Sequence, residues 1–89
     1  MRTIRKDSDD VIREGIDWSD QLVSGETILS SSWTVGQGLT GGLAAYGSTY
    51  SDIDLSGGTV GSTYKVTNSI TTSEGLSYTK SFKVQVVNK

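Results

Sequence analysis

The strongest constraint on the fold is a two-residue alternation that runs through the last third of the sequence. Between residues 64 and 71, apolar residues and one Asn alternate with Lys, Thr and Ser. This pattern is typical of a β-strand with one buried and one solvated face. A second alternating run, from Leu76 to Val87, follows the turn signal at residues 73–75. Together the two runs predict an antiparallel β-hairpin.

The rest of the chain predicts further short strands separated by glycine-rich turns. Strand-like patterns occur at about residues 10–19, 27–35 and 51–56, and one or two more strands fit between residues 39 and 50. Helices have little support, because Ser, Thr, Gly and Val are abundant. A chain of 89 residues holds one core. We therefore predict an all-β sandwich of about seven short antiparallel strands over residues 11–89.

Residues 1–10 are polar and charged, and they show no periodicity. Such a segment predicts an N-terminal arm that is either flexible or extended, and that orders only against another surface. The arm does not resemble the apolar part of a signal peptide, and no stretch approaches the ~18 apolar residues that span a bilayer. We expect a soluble protein with no export signal of its own and no membrane partner.

Aromatic residues are the natural candidates for the core of so small a domain. On the strand at 27–35, alternation places Leu29 on the same face as Trp33, with Ile28 on the other face and Trp33 at the centre of the core. We expect the Tyr64 hydroxyl to hold a neighbouring loop, in the manner of a tyrosine corner. The predicted core consists of Trp18, Trp33, Tyr64, Phe82 and Val84.

The absence of His and Cys excludes most catalytic arrangements. Nucleophilic sites built on Ser/His/Asp or Cys/His are impossible, and so are zinc sites that use those side chains. One close carboxylate pair remains, Asp52 and Asp54, on one face of a predicted strand. Such a pair suits a cation or acid–base chemistry, but beside glycine-rich turns it is more typical of a solvated edge. We predict that the protein is not an enzyme.

Two segments resemble ligand-binding loops, but the residues around them do not complete either motif. Residues 7–10 open like a calcium loop, but the Gly of its sharp turn and its closing Glu are missing. Residues 36–41 match the dinucleotide fingerprint, but residues 42–47 contain too much Gly for the helix that must follow. We predict neither a metal nor a cofactor.

The charges are few and unevenly distributed. A net charge of −2 is too small to indicate a nucleic-acid partner. Acidic residues dominate the first third, whereas the last strands carry Lys65, Lys80, Lys83 and Lys89 against the single Glu74. This asymmetry is compatible with head-to-tail packing of copies, although two solvated faces of opposite sign are its more common cause.

Several short segments and one long one form a distinctive pattern. The short segments are Lys6-Asp7-Ser8-Asp9, Ile16-Asp17-Trp18-Ser19, Gly25-Glu26-Thr27-Ile28 and Ser30-Ser31-Ser32-Trp33, and the long one runs from Leu55 to Thr72. In these segments, which cover most of the chain, the sequence resembles a family of small structural proteins of tailed phages, often described as fiber-tail adaptor or neck-type proteins. The resemblance implies an immunoglobulin-like β-sandwich, built into a virion in several symmetric copies and assembled in the cytoplasm of the bacterial host.

The resemblance implies a structural adaptor that joins neck, tail or fiber components through protein–protein interfaces. Residues 36–50 match no part of the family pattern, and we expect a partner-specific loop there. The arm is expected to contribute by strand addition to an exposed sheet edge. The predicted partner-contact residues are Arg2, Ile4, Arg5, Lys6, Asp7, Asp9, Leu39, Leu43, Tyr46 and Tyr50.

The alternative function is a glycan- or surface-binding immunoglobulin-like module. Tyr46 and Tyr50, with Gly and Ser around them, fit an exposed aromatic surface for a sugar or a protein. The two hypotheses differ in whether these tyrosines contact a glycan or a protein of the virion.

Overall fold

Seven β-strands make up the regular structure of residues 2–88, the part of the chain that the computed structural model describes. They are β1 (Thr3–Asp7), β2 (Ile12–Asp17), β3 (Ile28–Val35), β4 (Leu39–Tyr46), β5 (Tyr50–Gly57), β6 (Thr63–Thr72) and β7 (Ser77–Val87). They form a four-stranded sheet in the order β1-β7-β6-β3 and a three-stranded sheet in the order β2-β5-β4. The prediction of an all-β sandwich is confirmed. No helix in residues 2–88 is long and apolar enough to cross a membrane.

The predicted hairpin forms the centre of the four-stranded sheet. β6 and β7 pair antiparallel, with Val66 opposite Phe82. Inward side chains are buried at alternate positions, while most of the intervening Lys, Ser and Thr residues lie on the outer face. The connecting turn contains Gly75 at a φ of +77°, a left-handed conformation that glycine adopts without a steric penalty.

The strand order is that of an immunoglobulin-like sandwich everywhere except at the first strand. The orders β3-β6-β7 and β2-β5-β4 correspond to strands C-F-G and B-E-D of a constant-type domain. β1 instead joins the free edge of β7, in parallel register, with Thr3 opposite Lys83. This parallel pair corrects the prediction of antiparallel strands throughout. The other strand pairs of the described residues are antiparallel.

The segment predicted as an N-terminal arm provides an edge strand of the domain. Of the two predicted states it adopts the extended one, and the surface that orders Thr3–Asp7 is β7 of the same chain. Arg2 fixes the start of this strand. Its guanidinium donates a hydrogen bond to the Gly15 carbonyl on β2 at 3.0 Å and lies 5.1 Å from the centre of the Phe82 ring. Met1 lies outside the described residues.

Lys6 is fully buried although its side chain is cationic. β1 turns it inward, opposite Val86, and its ammonium donates hydrogen bonds to the carbonyls of Asp7 at 2.8 Å and Gly57 at 2.9 Å. Gly57 ends β5 in the other sheet, so the Lys6 side chain links the two sheets. Burying an ammonium is tolerable only when acceptors replace its water, as these carbonyls do.

The apolar core consists of two clusters. The larger contains Leu39, Ile53, Leu55, Val66, Phe82 and Val84, and the smaller contains Trp18, Ile28 and Ile70. Trp18, Phe82 and Val84 are therefore core residues, as predicted. Trp33 is not the centre of the core, because it lies partly buried at the border of the larger cluster. Its ring stands edge-on to Phe82, with 6.1 Å between the ring centres.

A chain of hydrogen bonds crosses the interior between the two sheets. The Trp18 indole donates to the Asn68 side-chain oxygen at 2.9 Å, and the Asn68 amide donates to the Ser31 hydroxyl at 2.9 Å. Ser31 on β3 in turn bonds Ser51 on β5 at 2.6 Å, and the Trp33 indole donates to Ser51 at 3.1 Å. These contacts explain why polar side chains are buried in so small a core.

β3 departs from simple alternation at its start. The register with β6 shifts between Ile28 and Ser30, so Leu29 is an extra, bulged residue. As a result Ile28 is buried and Leu29 is 60% exposed. The predicted inward position of Leu29 is wrong, because the bulge reverses the direction of the side chains that precede it.

The loop before β6 is held by a tyrosine corner, as predicted. The Tyr64 hydroxyl accepts a hydrogen bond from the backbone N–H of Thr59 at 2.9 Å, and this bond lowers the pKa of Tyr64. Tyr64 itself is partly buried against the larger cluster. Its ring supports the loop from outside the centre of the core.

Candidate protein-interaction surface

β4 exposes nearly all of its side chains, which is unusual for a strand in a small sandwich. Leu39 is buried and the other seven residues are exposed. The register with β5 shifts between Gly41 and Ala44, and this bulge leaves Leu43 79% exposed. β4 is also an edge strand without charged residues. Its free edge therefore offers unpaired backbone groups beside an exposed apolar side chain.

Gly41 lets the backbone of β4 approach the core closely, because glycine has no side chain to place there. A side chain at Gly41 would place its Cβ 3.0 Å from a methyl of Val35 and 3.2 Å from a methyl of Ile53. Such distances are tighter than ordinary van der Waals contact. β4 therefore packs through its backbone at this position, and backbone pairing with β5 holds it in place.

Leu29 and Tyr46 extend the exposed apolar area from β4 to the edge of the other sheet. The Tyr46 hydroxyl donates to the Leu29 carbonyl at 2.8 Å, which joins the end of β4 to the start of β3. Tyr46 remains 46% exposed. We call Leu29, Leu43 and Tyr46 the edge patch, since all three belong to the edge strands β3 and β4. Sequence reasoning missed Leu29, because a bulge has no clear sequence signal here.

The turn between β4 and β5 is firmly held. The Gly47 N–H donates to the Tyr50 carbonyl at 3.0 Å, and the Ser48 carbonyl accepts from the Ile28 N–H at 2.9 Å. The Tyr50 ring occupies the space that a side chain at Gly47 would need. Tyr50 is consequently presented from a fixed turn, at 50% exposure.

The predicted contact residues of the arm differ in accessibility. Arg2, Arg5 and Asp9 are exposed, whereas Ile4 and Asp7 are partly buried. Lys6 is fully buried, and Leu39 of β4 is buried with 7% of its surface exposed. Neither side chain is accessible to a partner in the isolated domain, and a contact through Lys6 or Leu39 stays a prediction. Both side chains are engaged inside the domain.

The two ligand-like loops adopt structures that suit neither ligand. Residues 7–10 form a turn in which the Asp7 carboxylate accepts the Asp9 N–H at 2.8 Å. Within residues 2–88, no group of three or more acidic, His or Cys side chains is placed to hold a metal. Residues 36–41 form a turn and the start of β4, so the helix N-terminus that a pyrophosphate needs does not follow them.

The carboxylate pair on β5 is divided by Arg13. Asp54 accepts two hydrogen bonds from the Arg13 guanidinium, at 2.7 and 3.2 Å. These bonds lower the pKa of Asp54 and raise the pKa of Arg13. The half-buried Asp52 carboxylate has no hydrogen bond or ion pair with the residues that the structure describes. Its interaction with Arg13 is a longer-range electrostatic attraction.

The outer faces of the two sheets carry opposite charges. Arg5, Lys65 and Lys83 lie on the outer face of the four-stranded sheet against Asp7 alone, at the end of β1, and the outward positions on β3, β6 and β7 hold no carboxylate. The three-stranded sheet carries Asp17, Asp52 and Asp54 against Arg13 alone on its outer face. The charge asymmetry seen in the sequence is therefore an asymmetry between faces.

Comparison with known proteins gives one family. The model of a family described as "Podophage GP4 fiber-tail adaptor protein gp77" matches residues 6–85. The matched range includes β2 to β6 in full and most of β7. Among curated proteins, none matches the chain.

Proposed function

The chain belongs to the podophage GP4 fiber-tail adaptor family, as its sequence segments indicated, and we propose that it joins neck or tail and fiber components through protein–protein interfaces. In this proposal it is a virion protein without catalytic activity and acts in several symmetric copies. Its partners are virion proteins, and it contacts neither nucleic acid nor membrane.

The observation that carries this proposal is the exposure of β4. A small domain has little apolar surface to spare, yet Leu43 is 79% exposed on a strand whose edge is unpaired. An exposed edge beside an apolar side chain is the arrangement that accepts an extended segment of a partner as an additional strand. The edge patch is therefore the proposed contact with a tail or fiber protein, and Tyr50 presents a second contact beside it.

The exposed residues of the arm form a third proposed contact. Arg5 and Asp9 are exposed, and Arg2 lies immediately before the start of β1. Because β1 already pairs with β7, the arm acts as a fixed edge of the sandwich. It offers its outer side chains, with Ile4 and Asp7 partly accessible.

A substitution that changes the edge patch without changing the core tests the proposal. Leu43→Asp places a charge at a position that is 79% exposed, so we expect a normal thermal unfolding transition. Incorporation into purified phage particles is expected to fall about ten-fold or more, as for the loss of an interface anchor. Quantitative mass spectrometry of the particles measures the incorporation.

A matched control separates the edge patch from exposed apolar residues in general. Val60 is 50% exposed in the loop between β5 and β6, away from the edge patch. Val60→Asp is expected to leave incorporation unchanged. Normal incorporation of the Leu43→Asp variant would contradict the proposed contact.

The glycan-binding alternative rests on the same exposed tyrosines. Tyr46 and Tyr50 are about half exposed, but the Tyr46 hydroxyl is already bonded to Leu29. A glycan array with the purified protein distinguishes the two functions. Micromolar glycan binding that Tyr46→Ala abolishes would favour the alternative over the adaptor.

A further inference from the structure

We propose that copies of this chain bind one another face to face, with Lys65 and Lys83 of one copy seated over Asp52 of the next. The contact joins the outer face of the four-stranded sheet to the outer face of the three-stranded sheet of its neighbour. This inference rests on the proposed role as a virion component in several copies. It is testable in solution without particles.

The acceptor is a depression on the three-stranded sheet that contains an unpaired carboxylate. Gly15 lies opposite Asp52 on β2, and both line a hollow of about 300 Å³. Arg13 also lines this hollow, with its charge matched by Asp54. Asp17 and Tyr50 form the adjacent row. We call Gly15, Asp17, Tyr50 and Asp52 the acidic trough.

The acidic trough suits a lysine or arginine side chain. Asp54 is matched by Arg13, but Asp52 has no hydrogen bond or ion pair within residues 2–88. A partner ammonium in the trough gains a charge-assisted hydrogen bond to Asp52. Its alkyl stem packs on the Tyr50 ring, whose face also attracts a cation. Only glycine fits at position 15, because a Cβ there would lie 2.6 Å from the Ser51 carbonyl oxygen and 2.8 Å from the Asp52 Cβ.

The donor is a pair of like charges on the opposite face of the sandwich. Lys65 and Lys83 are directly opposite each other across β6 and β7, and both are exposed. Like charges at such positions destabilise an isolated sheet. No carboxylate occupies the outward positions of β3, β6 and β7 to relieve them. An acidic surface on another molecule removes this repulsion.

The two faces are suited to a repeating contact. They point away from each other, so a copy that uses one face still offers the other, and such a heterologous contact closes into a ring or continues as a stack. The domain measures 43 × 23 × 19 Å, so either long face approaches the ~800 Å² per partner of a typical stable interface. Polar, hydroxyl-rich faces make this contact weak and sensitive to salt.

Sedimentation equilibrium of the full chain tests the proposal. At low salt, about 20 mM, we expect concentration-dependent self-association that is lost at about 500 mM, where charge interactions are screened. Asp52→Lys, and separately Lys65→Glu with Lys83→Glu, should each weaken self-association about ten-fold or more. An equimolar mixture of these two charge-reversed proteins should associate again, because each supplies the face that the other lacks.

Two further variants serve as controls for side-chain size and for overall charge. Asp52→Asn should weaken association in the same direction without introducing a long side chain. Glu74→Lys makes the same charge change in the exposed turn between β6 and β7 and should leave association intact. A wild-type chain that stays monomeric at about 1 mM in low salt overturns the proposal, and so does a loss in Glu74→Lys equal to that in Asp52→Lys. Leu43 and Asp52 line a common depression, but self-association is measured in solution and the adaptor contact as incorporation into particles, so either proposal can fail without the other.

Discussion

β7 and β4 are both long strands, yet they make opposite use of their side chains. β7 pairs on both sides, with β1 and β6, and buries Phe82, Val84 and Val86. β4 pairs on one side only and buries Leu39 alone among its eight residues. The comparison indicates that β7 stabilises the fold through its core side chains and two strand pairings, whereas β4 is kept in place mainly by backbone pairing with β5. The exposed side chains of β4 contribute little to stability, so they can vary to suit contact with a partner.

Alanine substitution of one residue in each strand gives the sharpest contrast. Phe82→Ala removes a buried aromatic ring from the larger cluster, and we expect it to lower the free energy of unfolding by ~3–5 kcal/mol. Leu43→Ala is expected to change it by less than ~0.5 kcal/mol, since the side chain is solvated in the folded state. Urea denaturation followed by tryptophan fluorescence measures both. Similar losses in the two variants would break the comparison.

The hydrogen-bonded chain through Asn68 is expected to rank next. Asn68→Ala leaves the buried Trp18 indole without its acceptor and the Ser32 carbonyl without the Asn68 donor, whereas Ser31 keeps its bond to Ser51. Each buried polar group without a partner costs ~1–3 kcal/mol, so we expect a loss of ~2–3 kcal/mol. Ser69→Ala is the control, because Ser69 is the next residue on β6 and faces solvent. Equal stability of the two variants would show that the interior chain is dispensable.

A smaller effect is expected at Lys6, which distinguishes the edge strand β1 from the edge strand β4. Lys6→Ala removes the link to Gly57 on the other sheet and is expected to cost ~1–2 kcal/mol of unfolding free energy. Lys6→Met keeps the packing of the stem and should recover part of the loss. Arg5→Ala, on the outer face of the same strand, should be nearly neutral. Thermal unfolding of the three variants ranks them, and a neutral Lys6→Ala would mean that pairing with β7 alone fixes β1.

The sequence predicts the regular parts of this fold and misses the parts that depend on distant contacts. Alternation in β6 and β7 is readable because side-chain direction follows a period of two. Leu29 was misplaced because a bulge shifts that period by one residue. Burial of Lys6 depends on a carbonyl 51 residues away, which no local pattern reveals. Leu43, Tyr46 and Tyr50 are exposed, as a contact surface requires. Their segment is rich in glycine and has few apolar neighbours that could cover these side chains.

The smallest expected effect concerns the Arg13–Asp54 ion pair between β2 and β5, the strand that holds β4, and it is visible only as a dependence on pH. The Arg13 hydrogen bonds hold the pKa of Asp54 below its ordinary value of 3.8. The unfolded chain therefore binds a proton at a higher pH than the folded chain does. The stabilisation by Asp54 is complete above the ordinary value and is lost as the pH falls through the lowered pKa of the folded state.

Comparison of the wild type with Asp54→Asn isolates this contribution. Their difference in unfolding free energy should be constant between about pH 7 and pH 5 and should shrink as the pH drops below about 4. Asp17, whose pKa is lowered by its hydrogen bonds to Ser19, titrates equally in both proteins and cancels. Arg13→Gln should reproduce the loss, because the partner is then missing. A difference that persists at low pH would mean that Asn disturbs β5 itself, and β4 would then depend on its neighbour for more than backbone pairing.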